Sequence, residues 1–589
     1  MATILTNSSK INSGRFGVLK FIAQVIQGRW FMLCASFFIL AGAGGVYVFG
    51  SYSEAIKRSQ GYDQSTLNFL GFCKDLGGNL GAPIGFIGEV TPPWLVLLIG
   101  SVLNFGGYFM IWLVVTGRIS KPHVWQVGLY IAIGASSQNF ANTGVITTCV
   151  KNFPESRGTI LGILKGYLGL SGAIMTQLYL AFYGNDSESL ILLIAWLPAA
   201  ISIAFASVIR IMKIGTRQPN EQKTMNNFLF APIVLALFIM AMIIAQRQIP
   251  FSKAAYAGSA TVVCVLLIIL PLFIAVRKEF SPWNIMEKVL AHAANEVIIE
   301  KPQIVEAKEK AKDDPNGSCF SNIFNKPERG EDHTILQALL SIDMLLLLIS
   351  SFAGYGTNVT VVDNLGQIGE SLGYTGNTVR SFVSLVSIWN FFGRVLSGFV
   401  SEILLHKYKV PRPMLLVFSH FVTCIGHLLI VFPAPGSVYF ASVIIGFSFG
   451  VVWPIFYALV SELFGLKHFA TLQNCVLMVI PLASYVLNVR VTGFFYDREA
   501  KNQLIKSGKE WVKGTELTCI GTECYKLPLI MMACVSFFAG VTSLIFVMRT
   551  REFYKSDIYK KFTEKAETEL TTSSVVCDEE RVSNSGVER

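Results

Sequence analysis

The chain has 589 residues, of which 52% are hydrophobic and only 15% are charged, and its formal net charge is +10. A mean hydropathy of +0.53 is too high for an ordinary soluble globular protein, so the composition excludes that class. The positive charge does not require a nucleic acid partner, because membrane proteins carry surplus Lys and Arg in their cytoplasmic loops.

Transmembrane helices are predicted from long stretches without charge. A helix needs roughly 20 apolar residues to cross a hydrocarbon core about 30 Å thick. Three segments of this length are interrupted by charged residues, at 64–88, 158–184 and 381–402. Eleven others contain no Asp, Glu, Lys or Arg: 30–50, 94–116, 124–150, 189–209, 228–246, 254–276, 344–362, 413–432, 436–461, 469–489 and 527–548. The sequence therefore predicts an all-α membrane protein with about fourteen transmembrane helices.

The N-terminal segment, residues 1–29, precedes the first apolar run at 30–50. This run is longer than the apolar region of a usual signal peptide, and no small-residue cleavage pattern follows it before Glu54. We therefore expect the run to be kept as the first membrane helix, with residues 1–29 in the cytoplasm.

The second predicted span contains the sequence GFCKDLGGNLG (71–81), which includes Lys74, Asp75 and Asn79. The two charges lie about ten residues, or roughly 15 Å, from the outer end of the helix. Each charge costs about 2.5 to 3.5 kcal/mol there on insertion scales, which marks the pair as functional candidates. Adjacent residues on a helix point about 100° apart, so we expect each charge to need its own partner or water rather than to neutralise its neighbour.

Lys165 lies in the span 158–184, roughly 10 Å from the cytoplasmic end of that helix. In a core about 30 Å thick, this depth nearly meets that of Lys74 and Asp75. Our hypothesis is that Lys74 or Lys165 binds an anionic group, while Asp75 carries a proton or is the partner released on binding. The alternative is a permanent ion pair between Asp75 and Lys165 that holds one bundle together.

An insertion is predicted at 211–333, with two membrane helices at 228–246 and 254–276 and a cytoplasmic loop at 277–333. The loop is charged and poor in apolar residues, so we expect it to be mobile or weakly helical. The two helices are interpreted either as a spacer that preserves topology or as a regulatory element.

The segments on either side of this insertion repeat one another. GFIGE (85–89) recurs as GFVSE (398–402) at an offset of 313, and three further pairs recur in the same order at 312. A fifth pair recurs at 311 to 312. Each half, 30–210 and 334–548, contains six predicted spans with matching loops on the same side. The two repeats are therefore parallel.

Charged residues also mark one end of the second span in each half. Gly85 and Glu89 occupy this place in the first half, and Arg394, Gly398 and Glu402 occupy it in the second. Arg394 and Glu402 are about two turns apart and so share a helix face. We interpret these residues as gating groups that hold the halves together in one state; anchoring at the membrane interface is the alternative.

Six plus six parallel helices resembles the major facilitator superfamily, whose members carry Gly-x-x-x-Asp/Glu after the second helix of each half. GRVLSGFVSEILLHKYK (393–409) fits that signature, whereas in GFIGEVTPPW (85–94) prolines and a tryptophan replace the expected basic residues. The sequences GRWFMLCASFFILAGAGGVYVFGSYSEAIK, CKDLGGNLG and NFPESRGTILGILKGYLGLSGAI look like the plant nodulin-like proteins. The resemblance implies two six-helix bundles that rock about a central site, with no covalent chemistry.

Topology follows from the basic residues. The loops on the terminal side, including the tail 549–589, contain 31 of the 48 Lys and Arg residues, so both termini are predicted to be cytoplasmic. The outer loop 493–526 contains Cys519 and Cys524, either as a local disulfide or as two free thiols. Plasma membrane and vacuolar membrane would be crossed by the same helices.

The predicted function is a secondary active or facilitative transporter of a small polar solute. Two Lys against one Asp at the candidate site favour an organic anion, and Asp75 is a candidate for coupling to protons. The alternative is a membrane sensor or scaffold that signals through the loop 277–333 and the tail 549–589. No metal-binding or phosphate-binding motif is present, so neither enzymatic activity nor a cofactor is predicted.

Overall fold

The computed structural model describes residues 20–62, 64–184, 186–212, 221–249, 251–280, 327–507, 519–556 and 558. The N-terminal 19 residues, most of the loop 277–333 and nearly all of the tail 549–589 lie outside this part. Across the described ranges the regular structure is helical, without strands. Eleven helices there are long and apolar enough to cross a membrane, or twelve if a bent pair counts as one span. The predicted number of fourteen is therefore not confirmed.

The helices follow one another along the chain with short connections. They are α1 (Lys20–Gln27), α2 (Arg29–Gly42), α3 (Phe49–Gln60), α4 (Gln64–Asn79), α5 (Ala82–Val90), α6 (Pro93–Val115), α7 (Val124–Asn152), α8 (Arg157–Phe182), α9 (Ser187–Ala206), α10 (Glu221–Gln248), α11 (Lys253–Phe280), α12 (Ile335–Leu339), α13 (Ile342–Ser371), α14 (Gly376–Tyr408), α15 (Pro413–Val431), α16 (Ser437–Leu463), α17 (Phe469–Lys506) and α18 (Glu523–Lys555).

Three predicted spans are missing from the eleven: α7 is continuous but less apolar than the others, and the first two spans are broken. The run 30–50 is divided between α2 and α3 by a non-helical turn. A Cβ atom at Gly44 would lie 2.6 Å from the backbone of Ser171 in α8, so only glycine fits where this turn meets that helix. The segment 64–88 is divided between α4 and α5 before Pro83, whose missing N–H prevents the hydrogen-bond ladder from continuing.

The described helices form two halves and an inserted pair. Helices α2 to α9 form the N-terminal half, in which α6 packs on α7 and α9. Helices α13 to α18 form the C-terminal half, in which α14 packs on α16 and α15 packs on α18. The halves meet mainly where α8 lies against α14 and where α5 lies against the start of α17.

The inserted helices α10 and α11 pack against the N-terminal half. The Glu221 carboxylate pairs with Arg29 at 2.9 Å at one end of α10, and Gln246 donates to the Gln177 side chain at 2.8 Å near the other. Because Gln177 lies on α8, α10 is attached to the helix that faces the other half. The contacts are compatible with both interpretations of the insertion.

The α8–α14 seam depends on glycines in both helices. A Cβ atom at Gly398 would lie 2.5 Å from the Gly158 carbonyl oxygen and 2.6 Å from Gly162 Cα. Such distances leave no room for a side chain, so the two backbones approach as small-residue helix pairs do in membranes.

One membrane face collects the ends of several helices, including the beginning of α2 and the end of α18. Two sets of polar contacts lie there. Arg29 and Ser156 both contact Glu221. In the second set, Gly158 N donates to Glu402, Arg412 binds both Glu402 and Glu462, and Tyr554 donates to Glu462. We call this the Glu402 face. A disulfide joins Cys519 and Cys524 just before α18. Because α18 spans the membrane, this bond lies at the opposite face, which we call the Cys519 face.

Candidate functional site

Two buried cations meet at the seam between the halves. Lys165 on α8 is fully buried, and Arg394 on α14 is 2% exposed. Arg394 Nη1 donates to the Lys165 carbonyl oxygen at 3.1 Å, and Lys165 Nζ donates to Asn142 Oδ1 at 3.3 Å. Among the described residues, no carboxylate forms an ion pair with either cation. Both charges are therefore held by neutral groups.

Aromatic rings from α16 cover the two cations. Lys165 Nζ lies 3.9 Å from the centroid of the Tyr457 ring and 5.4 Å from that of Trp453. Arg394 Cζ lies 5.1 Å from the Trp453 ring centroid. Spacing of four residues puts both rings on one face of α16, where they stabilise the cations by cation–π attraction. We call Lys165, Arg394, Asn142, Trp453 and Tyr457 the cation pocket.

Polar atoms beside the cation pocket have no hydrogen-bond partner among the described residues. They include Arg394 Nε, Asn390 Nδ2, Trp453 Nε1 and the hydroxyls of Tyr355 and Tyr457. All of these atoms can donate a hydrogen bond. A neighbouring crevice, too narrow to admit a water molecule in this conformation, is lined by Tyr355, Tyr457 and Gln473, among others. Unpaired buried donors are costly, and next to two positive charges they suit a ligand rich in acceptor oxygens.

The pair in GFCKDLGGNLG does not have the surroundings that the sequence predicts. Lys74 Nζ lies 2.9 Å from Asp75 Oδ1, so the adjacent charges do neutralise each other. The prediction was wrong because the long Lys side chain bends around the helix to reach its neighbour. The alternative, an ion pair between Asp75 and Lys165, does not form among the described residues. Asn79 Nδ2 donates to the Asp75 carbonyl oxygen at 2.9 Å, within its own helix.

A carboxylate from the other half faces this pair. Asp363 on α13 accepts a hydrogen bond from Asn488 Nδ2 at 3.0 Å and interacts electrostatically with Lys74 and Asp75. Sequence analysis missed Asp363 because the charge-free run ends at residue 362, whereas α13 continues to Ser371. Asn488 lies in a π-helical turn of α17, a deviation that often accompanies function.

The repeated motif residues connect the two halves reciprocally. Glu89, from the N-terminal half, lies 2.7 Å from His468 Nδ1 and accepts from Thr471 N at 3.0 Å, both in the C-terminal half. Glu402, from the C-terminal half, accepts from Gly158 N at 2.9 Å. Each carboxylate therefore binds the first turn of a helix in the other half, where free N–H groups and the helix dipole favour an anion.

The two charges of GRVLSGFVSE take different positions. Arg394 belongs to the cation pocket, whereas Glu402 lies at the Glu402 face and pairs with Arg412 Nη2 at 2.9 Å. Gly85, like Gly398, lies in close contact with the facing half, where its neighbour is the backbone of Ala470. The shared helix face of Arg394 and Glu402 thus brings them to the seam but not to one another.

Comparison with known proteins agrees with this architecture. The model of the nodulin-like family matches residues 29–276, and that of the NFD4 C-terminal domain matches residues 331–556. Together the two models match most of the chain, which is thus a nodulin-like protein. Protein NUCLEAR FUSION DEFECTIVE 4 of Arabidopsis thaliana is 24% identical over 535 residues, covering 89% of each chain.

Two further relatives concern transport and fold. Probable transporter MCH1 of Debaryomyces hansenii is 23% identical to this nodulin-like protein over 168 residues, covering 27% of the chain and 34% of that protein. The solved proton:xylose symporter XylE, bound to 6-bromo-6-deoxy-D-glucose, superimposes with a TM-score of 0.53 at 13% identity. That match covers 89% of this chain and 96% of the symporter, and it shows the fold. The nodulin-like protein thus has the same fold as this symporter.

A segment of the nodulin-like protein that sequence analysis did not single out docks beside His468. Asp332, at the end of the inserted loop, accepts from Leu466 N at 2.9 Å and from Lys467 N at 3.1 Å. His333 N donates to the Phe464 carbonyl oxygen at 3.1 Å. We call residues 327–334 the docking segment, because it holds the connection between α16 and α17 that carries one partner of Glu89.

Proposed function

We propose that this nodulin-like protein is a secondary transporter that carries a small organic anion across the membrane by alternating access. The observation that supports the solute class is the pair of buried cations, Lys165 and Arg394, for which the described residues supply no carboxylate. A buried charge without a counter-ion is expensive in a membrane protein and marks a solute pathway. A bound anion would remove that cost.

The position of the cations supports transport rather than fixed binding. Lys165 belongs to the N-terminal half and Arg394 to the C-terminal half, so a solute that contacts both is held between the two bodies that move. On the Glu402 face, Glu89 and Glu402 connect the halves. On the other side of the pocket, Asp75 is 41% exposed at membrane depth, where a water-filled cavity would lower the cost of its charge. In this proposal the conformation is closed at the Glu402 face and open toward the Cys519 face.

Gly85, Glu89, Gly398 and Glu402 are, in this proposal, the gate of the Glu402 face. Release of the two carboxylates from the helix ends at Thr471 and Gly158 frees the halves to separate there. Glu402 loses one interaction but keeps Arg412, so the gate opens without leaving an isolated buried charge.

Coupling to protons is assigned to Asp75 in the same proposal. Its carboxylate pairs with Lys74 and faces Asp363, so protonation of Asp75 would free Lys74 to interact with Asp363 across the cavity. Asn79 supports the same helix end through its bond to the Asp75 carbonyl oxygen. Lys74, Asp75 and Asn79 are thus coupling groups, and Lys165 is the solute-binding group.

The Glu402 face is proposed to be cytoplasmic, with both termini on that side. The surplus of Lys and Arg in its loops supports this orientation. The Cys519–Cys524 disulfide at the opposite face agrees, since such bonds persist outside the cytosol. Plasma membrane and vacuolar membrane are both consistent with it.

Uptake into proteoliposomes tests the proposal. Purified protein is supplied with a mixed pool of labelled organic anions, with and without an inward proton gradient. We expect accumulation by the wild type, loss of accumulation in Lys165→Met and Arg394→Gln, and loss of gradient dependence alone in Asp75→Asn. Lys253→Met, at the exposed beginning of α11, is the matched control. Equal uptake by the wild type and both pocket variants would refute the assigned site.

The docking segment favours one second candidate, a sensor that signals through its loop. Contacts of Asp332 and His333 next to His468 connect the end of the loop to the gate. Replacing residues 285–322 by a Gly/Ser linker separates the candidates. After the replacement, a transporter keeps its uptake, whereas a sensor loses its signalling. Conversely, Lys165→Met should abolish uptake by a transporter but leave the signalling of a sensor unchanged.

A further inference from the structure

The cation pocket contains two charges, and their placement is informative about the charge of the solute. Both heads lie about 5 Å from the Trp453 ring, Lys165 at 5.4 Å and Arg394 at 5.1 Å. They are therefore close enough to be reached by two ends of one small molecule. The neutral Asn142 and the Lys165 carbonyl are the groups that currently accept their hydrogen bonds.

Charge balance distinguishes a dianion from a monoanion. Both cations are already buried away from water, so a monoanion would leave one of them without a counter-charge. A solute with two carboxylates would neutralise both cations. Their oxygens would also accept from the unpaired donors nearby, including Arg394 Nε, Trp453 Nε1 and the Tyr457 hydroxyl.

We infer that the solute bound between the halves is a small dicarboxylate, with one carboxylate on Lys165 from the N-terminal half and the other on Arg394 from the C-terminal half. This inference rests on the proposed function and makes it more specific. It also gives the anion a conformational role, because only a molecule with both charges ties the two halves to each other.

Calorimetric titration of the full-length protein in nanodiscs tests this inference with matched probes. Succinate and glutarate are compared with their monoamides, which have nearly the same shape and one charge fewer. Removing one partner from a buried charge pair costs about 2 kcal/mol or more, so we expect each dicarboxylate to bind roughly thirtyfold or more tightly than its monoamide. Phosphate and sulfate are titrated as inorganic divalent anions.

Asn142→Asp supplies the decisive variant, because it puts a carboxylate beside Lys165 without changing the shape of the side chain. We expect the dicarboxylate advantage to fall to about one, since a single cation then remains for the solute. Asn502→Asp, at an exposed position of α17, should leave the advantage unchanged.

The other outcomes are distinct. If monoamides bind as tightly as dicarboxylates, or if phosphate or sulfate binds more tightly than either, the dicarboxylate inference is wrong while an anion transporter remains. If the advantage persists in Asn142→Asp, the dianion does not bind at Lys165 and the inference is wrong. If none of these anions binds and no organic anion is taken up by proteoliposomes, the proposed function fails as well.

Discussion

At the scale of single residues, three cations in predicted spans have three different environments. Lys74 pairs with its neighbour Asp75, Lys165 lies on the Tyr457 ring, and Arg394 donates to a backbone carbonyl. Each arrangement lowers the cost of a charge at membrane depth, but only the last two lack a carboxylate. That difference separates the proposed solute site from the proposed coupling site.

The ring of Tyr457 and its hydroxyl are expected to have separate roles. Tyr457→Phe keeps the face under Lys165 and removes only a hydroxyl without a described partner, so the unfolding temperature should change little. Tyr457→Leu removes a desolvated cation–π contact, and we expect a loss of about 2 kcal/mol. Thermal unfolding in detergent measures both. A larger loss in Tyr457→Phe than in Tyr457→Leu would contradict the assigned contact.

The Glu89 carboxylate is expected to hold the gate through its charge. Glu89→Gln keeps the shape but weakens the contacts to His468 and Thr471 N, which should cost about 1.5 kcal/mol and shift the gate roughly tenfold toward opening. The rate of maleimide reaction at Ala470→Cys, a buried position in the first turn of α17, reports the shift. Glu552→Gln, which removes an exposed ion pair on α18, should not change that rate.

At the scale of helices, the seam depends on two backbones in contact. The glycines of α8 and α14 allow this approach, and the same surfaces must separate when the halves rock. The break in the first span has a related origin, since the turn after α2 packs against α8 where Gly44 meets Ser171. Tertiary contact therefore contributes to this break, whereas the break before Pro83 has a local cause.

Gly398→Val is expected to prevent closure of the seam. Its side chain would overlap the backbone at Gly158 and Gly162, and such overpacking costs about 1 to 3 kcal/mol. The buried probe Val395→Cys should then react faster with maleimide from the Glu402 face. Gly106→Val in α6 is the matched control, because no atom lies within 4 Å of a Cβ atom there. Unchanged reactivity in Gly398→Val would show that the seam can form with a side chain in it.

At the scale of the whole molecule, the two faces differ in chemistry. At the Glu402 face, charged side chains form hydrogen bonds that join both halves, whereas the Cys519 face has a disulfide. The proposed orientation makes the first face cytoplasmic.

Sealed vesicles test this orientation without knowledge of the membrane of origin. In a variant whose other nine cysteines are Ala, Cys519 and Cys524 should react with an impermeant maleimide, after reduction, only from the side opposite a protease-sensitive tag at the C-terminus. If the two cysteines and the C-terminal tag were accessible from the same side, the tail and the disulfide would share a compartment. The number of membrane crossings between the disulfide and the tail would then be even, whereas the proposed topology requires an odd number.

Much of the fold follows from local properties of the sequence. The lengths of the apolar runs located most of the membrane helices, and the repeat offset identified two parallel halves. Their motif residues, Glu89 and Glu402, each contact the first turn of a helix in the other half. Both signals are read along the chain, because crossing a bilayer requires about 20 apolar residues whatever lies nearby. The repeat even relates His468 and Thr471 to the turn before α8, a signal that sequence analysis did not use.

The site, by contrast, was decided by tertiary structure. Lys165 and Asp75 were each recognised as charges in a membrane, but their partners come from segments that no spacing connects: Asn142 and Tyr457 for the first, Lys74 and the facing Asp363 for the second. The energy of a buried charge depends on which groups surround it within a few ångströms. The sequence by itself determined most of the places where this protein crosses the membrane, while only the packed structure determined which of its buried charges have no carboxylate partner among the described residues.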